Sequence, residues 1–94
     1  MEWKYAVVDT SNNTTTINSV PTLVKGVHIN TALSNHTVVL DDSTTSVITI
    51  PANATAGNFY DLDGLRFETN FIVDPDDSST GNMTVLYKDL ARIN

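Results

Sequence analysis

From Leu65 to Lys88 the chain reads LRFETNFIVDPDDSSTGNMTVLYK, two strictly alternating runs on either side of an acidic, polar stretch, and that pattern commits the segment to β structure. Leu65, Phe67, Thr69, Phe71 and Val73 share one parity, and Arg66, Glu68, Asn70 and Ile72 share the other. Met83, Val85 and Tyr87 repeat the pattern further along. A period of two belongs to a half-buried strand, whose side chains point alternately to its two faces. The expectation is one long β-hairpin, Leu65 to Val73 against Met83 to Tyr87, closed by a turn over Asp74 to Asn82.

Asn, Asp, Ser, Gly and Pro cut the rest of the chain into short apolar runs about ten residues apart, the spacing of a sandwich or barrel of about seven or eight strands. Trp3 to Asp9 reads as the first strand and SNNTTT as a polar turn or short excursion. Pro21 to Asn30 reads as a long strand with Leu23, Val27 and Ile29 facing the core. Lys25 falls on that same face, and a bulge at Gly26 would turn it outward, since glycine inside a strand often marks a bulge. His36 to Leu40 and Thr44 to Ile50 form a hairpin across Asp41-Asp42-Ser43, stopped by Pro51. Phe59 to Leu62 is a short strand, and Asp63-Gly64 turns the chain into the opening hairpin. Leu86, Leu90 and Ile93 also fit a short terminal helix. Fourteen Thr and ten Asn, 24 of the 94 residues, support the all-β reading, because Thr suits pleated surfaces and Asn suits turns.

Ninety-four residues suffice for one domain. The net charge of −6, with Lys4, Lys25, Arg66, Lys88 and Arg92 scattered along the chain, argues against nucleic-acid binding. With no cysteine there is no disulfide frame, thiol nucleophile or thiolate zinc site. No apolar run approaches the roughly 20 residues of a membrane span, and MEWKYAVVDT lacks the basic start and apolar centre of a signal peptide. Synthesis and folding in a cytoplasm, away from membranes, are expected.

Possible chemistry is set against turn chemistry. Asp61-Leu62-Asp63-Gly64 shares its spacing with part of a calcium loop, and Asp74, Asp76 and Asp77 add oxygen ligands. The spaced series ending in a bidentate glutamate is missing, so turns are the preferred reading and no metal or other cofactor is expected. The adjacent pairs Asp41-Asp42 and Asp76-Asp77 lie in turns rather than across a cleft. His28, His36 and Ser34 form no recognisable nucleophile motif. Asn12, Asn13, Asn35, Asn53 and Asn82 each begin an Asn-x-Ser/Thr triplet, as this composition produces by chance. Among the seven aromatic residues, Phe59, Tyr60, Phe67, Phe71 and Tyr87 are assigned to the core, leaving Trp3 and Tyr5 to pack on their own sheet or on a neighbour. No catalytic residues are expected, and the chain is read as non-enzymatic.

The run KGVHINTALSNHTVVLDDSTTSVITIPANATAGNFYDL, followed by FIVDPDDSSTGNMTVLYK, resembles small virion proteins of tailed bacteriophages, in particular capsid decoration and head-associated proteins, over about residues 25 to 88. The resemblance implies a β-rich, cysteine-free, non-enzymatic, oligomeric subunit, often a trimer on the capsid surface. Together with the strand pattern it gives the expected fold, a single antiparallel β-sandwich over residues 1–94, jelly-roll-like or immunoglobulin-like, with possible extended arms at 1–9 and 89–94. The expected role is a virion structural protein that bridges and stabilises capsid subunits. Its partners would be itself, as homotrimer or homodimer, and a capsid or other virion protein. Trp3, Tyr5, Val7, Leu90 and Ile93 are the expected contact residues. The alternative is a neck, tail or fibre β-module that binds a host glycan or surface protein through the turns at 61–64 and 74–82.

Overall fold

The alternating runs become strands, but not the two strands of one hairpin. In the computed structural model, which describes residues 2–90, eight strands succeed one another: β1 (Lys4–Asp9), β2 (Thr15–Asn18), β3 (Thr22–Thr31), β4 (Val38–Asp42), β5 (Thr45–Ile50), β6 (Phe59–Phe67), β7 (Phe71–Pro75) and β8 (Asn82–Asp89). They form two antiparallel four-stranded sheets, the first in the order β1-β8-β3-β6 and the second in the order β2-β7-β4-β5. The chain pairs its halves like a folded ribbon, β1 with β8, β2 with β7, β3 with β6 and β4 with β5. Rolling that ribbon brings β3 against β8 and β4 against β7. This is jelly-roll connectivity. An immunoglobulin-type sandwich groups its strands in a different order, so topology selects the first of the two expected sandwiches.

The expected hairpin is corrected here. Leu65 to Phe67 ends β6 in the first sheet, Glu68 to Asn70 form a corner, and β7 starts at Phe71 in the second sheet. β8 then returns to the first sheet, so β7 and β8 are not partners. Parity misleads because the inner faces of both sheets look onto one core: Phe67, Phe71, Val73, Met83 and Val85 are all fully buried although they belong to different sheets. Alternation identifies the buried face of a strand but not its neighbour. The strand β2 overlaps the segment read as a polar excursion only at Thr15 and Thr16 and runs past it to Asn18, and its one apolar residue, Ile17, gives no alternation to reveal it.

Local chemistry explains the other shifts. Against β8, β3 changes register between Val24 and Gly26, leaving Lys25 as the bulged residue. The inward set therefore changes parity from Val24 to Val27 and Ile29, Lys25 points to solvent as expected, and Leu23 is half-buried instead of core. Gly26 has a second reason to lack a side chain. A Cβ there would collide with the Phe59 ring and lie 2.6 Å from the Tyr60 carbonyl oxygen.

Asp63-Gly64 is not a turn. β6 runs through it, and the two residues take positive φ, 52° and 73°, inside a bulge where Leu62, Asp63 and Gly64 stand opposite Lys25 alone. Likewise Asp41 and Asp42 belong to β4, and the hairpin closes through the two residues Ser43-Thr44, with Ser43 at φ 55°.

Candidate functional site

Four strands of the first sheet present an outer face that is more apolar than a solvated sheet requires. On β1, Ala6 and Val8 turn toward the core, leaving Tyr5 and Val7 on the outside, 71% and 59% exposed, with Trp3 beside them at 38%. The register carries this strip across the sheet. Tyr5 lies opposite Leu86, which lies opposite Gly26, and Val7 lies opposite Thr84, which lies opposite His28. His28 in turn faces Phe59, 44% exposed, whose ring covers Gly26. Tyr5, Leu86 and Phe59 thus make an apolar band over four strands, and contiguous exposed apolar surface of this kind marks an interaction site. Phe59 corrects the assignment to the core. Gly26 was the available signal, because an interior strand glycine leaves room for close approach by a neighbour.

Charge is arranged around the same band. Lys88 Nζ lies 4.4 Å and Lys25 Nζ 5.5 Å from the centre of the Trp3 ring, both within reach of cation–π attraction. Lys4 Nζ is 3.6 Å from Asp89. Three lysines far apart in sequence are thereby gathered at one corner, while Arg66 pairs with Glu68 at 2.8 Å. Among the described residues Lys25 and Lys88 make no ion pair.

The first sheet's outer face is of mixed charge, since exposed Asp9, Asp61 and Asp63 share it with the lysines, whereas the outer face of the second sheet is acidic. Thr37, Val39, Asp74, Pro75, Asp76 and Asp77 line an open groove of about 280 Å³. Thr14 donates its hydroxyl to Asp74 at 2.9 Å. Asp76 bonds His36 Nδ1 at 2.7 Å, and that bond, with the Asp77 N–H, lowers the Asp76 pKa. Ser34 Oγ accepts from the Thr80 N–H, and among the described residues no hydrogen bond joins Ser34 to the His36–Asp76 pair.

Asp41 shares this outer face, and its Oδ1 is shielded from solvent without a hydrogen-bond partner. Burial first, and then the charge of Asp74, raise its pKa. Asp41→Asn is therefore expected to stabilise the protein at pH 7 by about 0.5–1 kcal/mol, the low end because solvent reaches part of the site. A raised carboxyl pKa costs stability progressively as pH rises above the unfolded-state value and in full above the folded one, so the gain should vanish below the ordinary carboxylate range, where folded and unfolded chains are both protonated. Urea unfolding at pH 3 and pH 7 measures this, and a less stable variant at pH 7 would contradict it.

The five aspartates that offer oxygen ligands are separated, Asp61 and Asp63 on β6 and Asp74, Asp76 and Asp77 at the far end of β7 in the other sheet. Among the described residues no three His, Asp or Glu side chains come together as a metal would require. Of the expected contact residues, Trp3, Tyr5 and Val7 share the exposed band. Leu90 does not join them: it is half-buried, and its N–H bonds the Pro21 carbonyl at 2.9 Å. Ile93 lies outside the described residues, as does most of the expected carboxyl-terminal arm. The amino-terminal segment is no free arm, since β1 is paired along its length with β8. The chain matches no family model, no curated protein and no solved structure.

Proposed function

We propose that this chain is a non-catalytic structural subunit of a tailed-phage particle, working by adhesion as a capsid decoration protein. The observation that carries the reading is the exposed set of Trp3, Tyr5, Val7 and Phe59, joined by half-buried Leu86, on a sheet whose other face already closes a complete core. Burying such a band against a neighbouring subunit adds contact area without requiring any change in the sandwich. Each copy would span a junction between neighbours and slow particle opening. The sequence resemblance supplies the kind of particle, and the jelly roll is an architecture that recurs in viral capsid domains.

Lectin domains use the jelly roll too, so a glycan-binding module is the competing reading. It needs an aromatic ring free to stack on a sugar. Trp3 instead carries two lysine ammonium groups against its ring, which suits a protein contact better. Incubating the chain with particles from which it has been stripped, followed by sedimentation and imaging, tests the proposal. Expected is saturable binding at regular surface positions, lost in Tyr5→Ser/Val7→Ser. Failure to bind such particles, together with binding on a glycan array, would replace the reading with its competitor.

A further inference from the structure

Asp41 of β4 and Asp74 of β7 stand at opposite corners of a small square on the outer face of the second sheet. Asp41 is paired with Ile72 and Asp74 with Val39, so two β-branched apolar side chains fill the other corners, and all four residues are half-buried. Diagonal neighbours of an antiparallel pair have Cα atoms about 7–8 Å apart and side chains closer still. Asp41 Oδ1 is shut off from solvent with no hydrogen-bond partner. An ionised carboxylate in that position gives up water and gains nothing, and the charge that acts on it, Asp74, has the same sign. The strands on either side bring no cation, because β2 and β5 contain no charged residue and offer hydroxyls instead. Thr14, just before β2, donates to Asp74 at 2.9 Å, and Ser46 of β5 is paired with Asp41. Along the groove beyond Asp74 lie Asp76, bonded to His36, and Asp77, while Asp42 turns its carboxylate to the N–H groups of Glu68 and Thr69.

We propose that Asp41 and Asp74 share one proton, held at Asp41 Oδ1, and that this proton is a pH-sensitive tie between β4 and β7. The protonated carboxyl donates to the other, so the shielded oxygen gains its partner and one of the two like charges disappears. Thr14, Asp74, Asp41 and Ser46 then form a polar row that crosses the sheet from its β2 edge to β5. As pH rises the proton leaves to water, both groups become carboxylates, and two negative charges face each other between Val39 and Ile72, which limit their solvation. Burial first, and then the Asp74 charge, hold the Asp41 pKa above its ordinary value. Stability from the tie is therefore complete below the unfolded-state value, about 3.9, and is lost as pH rises through the raised folded value. Asp9, Asp42 and Asp76, whose pKa values are lowered, act in the opposite sense and below that window. The second sheet is thus tightest in weak acid and looser at neutral pH. None of this depends on the adhesion reading, whose contact face belongs to the first sheet.

Carbon-detected NMR titration of the side-chain carboxyls in the full chain, from pH 2 to pH 8, tests the shared proton. In the wild type the Asp41 and Asp74 signals are expected to follow the same two apparent steps, as a coupled pair does. Asp74→Asn should move the Asp41 titration toward the ordinary value by about half a unit or more, and Asp77→Asn, which removes a charge from the same face, by much less. In Asp41→Asn an amide donor stands where the proton would be at every pH. Amide exchange at Val39, Leu40, Val73 and Asp74, corrected for intrinsic rates, should therefore lose roughly three-fold more protection between pH 4.5 and pH 7 in the wild type than in Asp41→Asn. Single steps at unrelated pH for the two wild-type carboxyls would overturn the inference, and that result needs no variant to fold. An Asp41 titration unmoved by Asp74→Asn would overturn it too, by assigning the shift to burial alone. Equal loss of protection in the wild type and in Asp41→Asn would show that the proton ties nothing together.

Discussion

Replacing Phe71 with alanine is expected to remove about 3–5 kcal/mol of stability. Phe71 is fully buried on β7, its ring centre 5.0 Å from Phe67 on β6 and 6.1 Å from Tyr87 on β8. It is therefore the point at which the second sheet grips the first. For a domain whose total stability is about 5–15 kcal/mol, the variant should unfold far earlier in urea and can be partly unfolded at 37 °C. Phe67→Ala should cost a similar amount. The informative quantity is the double-mutant coupling, expected at about 0.5–1.5 kcal/mol for a packed aromatic pair. Had Leu65 to Val73 formed one continuous strand, these rings would stand about 13 Å apart along it and the two losses would simply add. Additivity would thus refute the corner between β6 and β7.

That comparison shows what the amino-acid order makes legible. The buried parity of β7 and β8 was readable, because Phe71, Val73, Met83 and Val85 alternate with polar or half-buried residues. Their partners were not readable. A strand's periodicity describes its own two faces, whereas pairing depends on how the whole ribbon rolls, which is a property of contacts distant in sequence. The bulge that turns Lys25 outward was visible in the placement of Gly26, yet the ring that fills the space above Gly26 was not. The exposed strip at Trp3, Tyr5 and Val7 could be found because an apolar strand near a terminus must be covered by something. The lysine corner was invisible for the opposite reason: Lys4, Lys25 and Lys88 look scattered until β1, β3 and β8 lie side by side.

The corner that defeats the hairpin reading has its own clasp, and removing it gives the second large effect. Asp42, at the end of β4, accepts hydrogen bonds from the backbone N–H groups of Glu68 at 2.7 Å, Thr69 at 2.9 Å and Asn70 at 3.4 Å. These donors have no strand partner while the chain crosses between sheets, so the carboxylate replaces the ladder there. Burial of the group acts to raise its pKa, but the three backbone donors and the Thr69 hydroxyl favour the ionised form, and the pKa ends below the ordinary value. A carboxyl lowered on folding contributes its stability in full above the unfolded-state value, about 3.9, and loses it as pH falls through the lower folded value. Asp42→Asn keeps the shape but loses the charge and turns an amide donor toward backbone donors. It is expected to cost about 1–2 kcal/mol at pH 7, reduced from the usual about 1.5–3 for charged hydrogen bonds because the corner is partly solvated. Between pH 4 and pH 2 the difference between wild type and variant should shrink, because acid removes from the wild type what the substitution has already removed. Asp9 and Asp76, also lowered, remain in both proteins and cancel from that difference. Urea midpoints across this range measure it, and a difference that stays constant to pH 2 would mean that the ionised carboxylate is not what holds the corner.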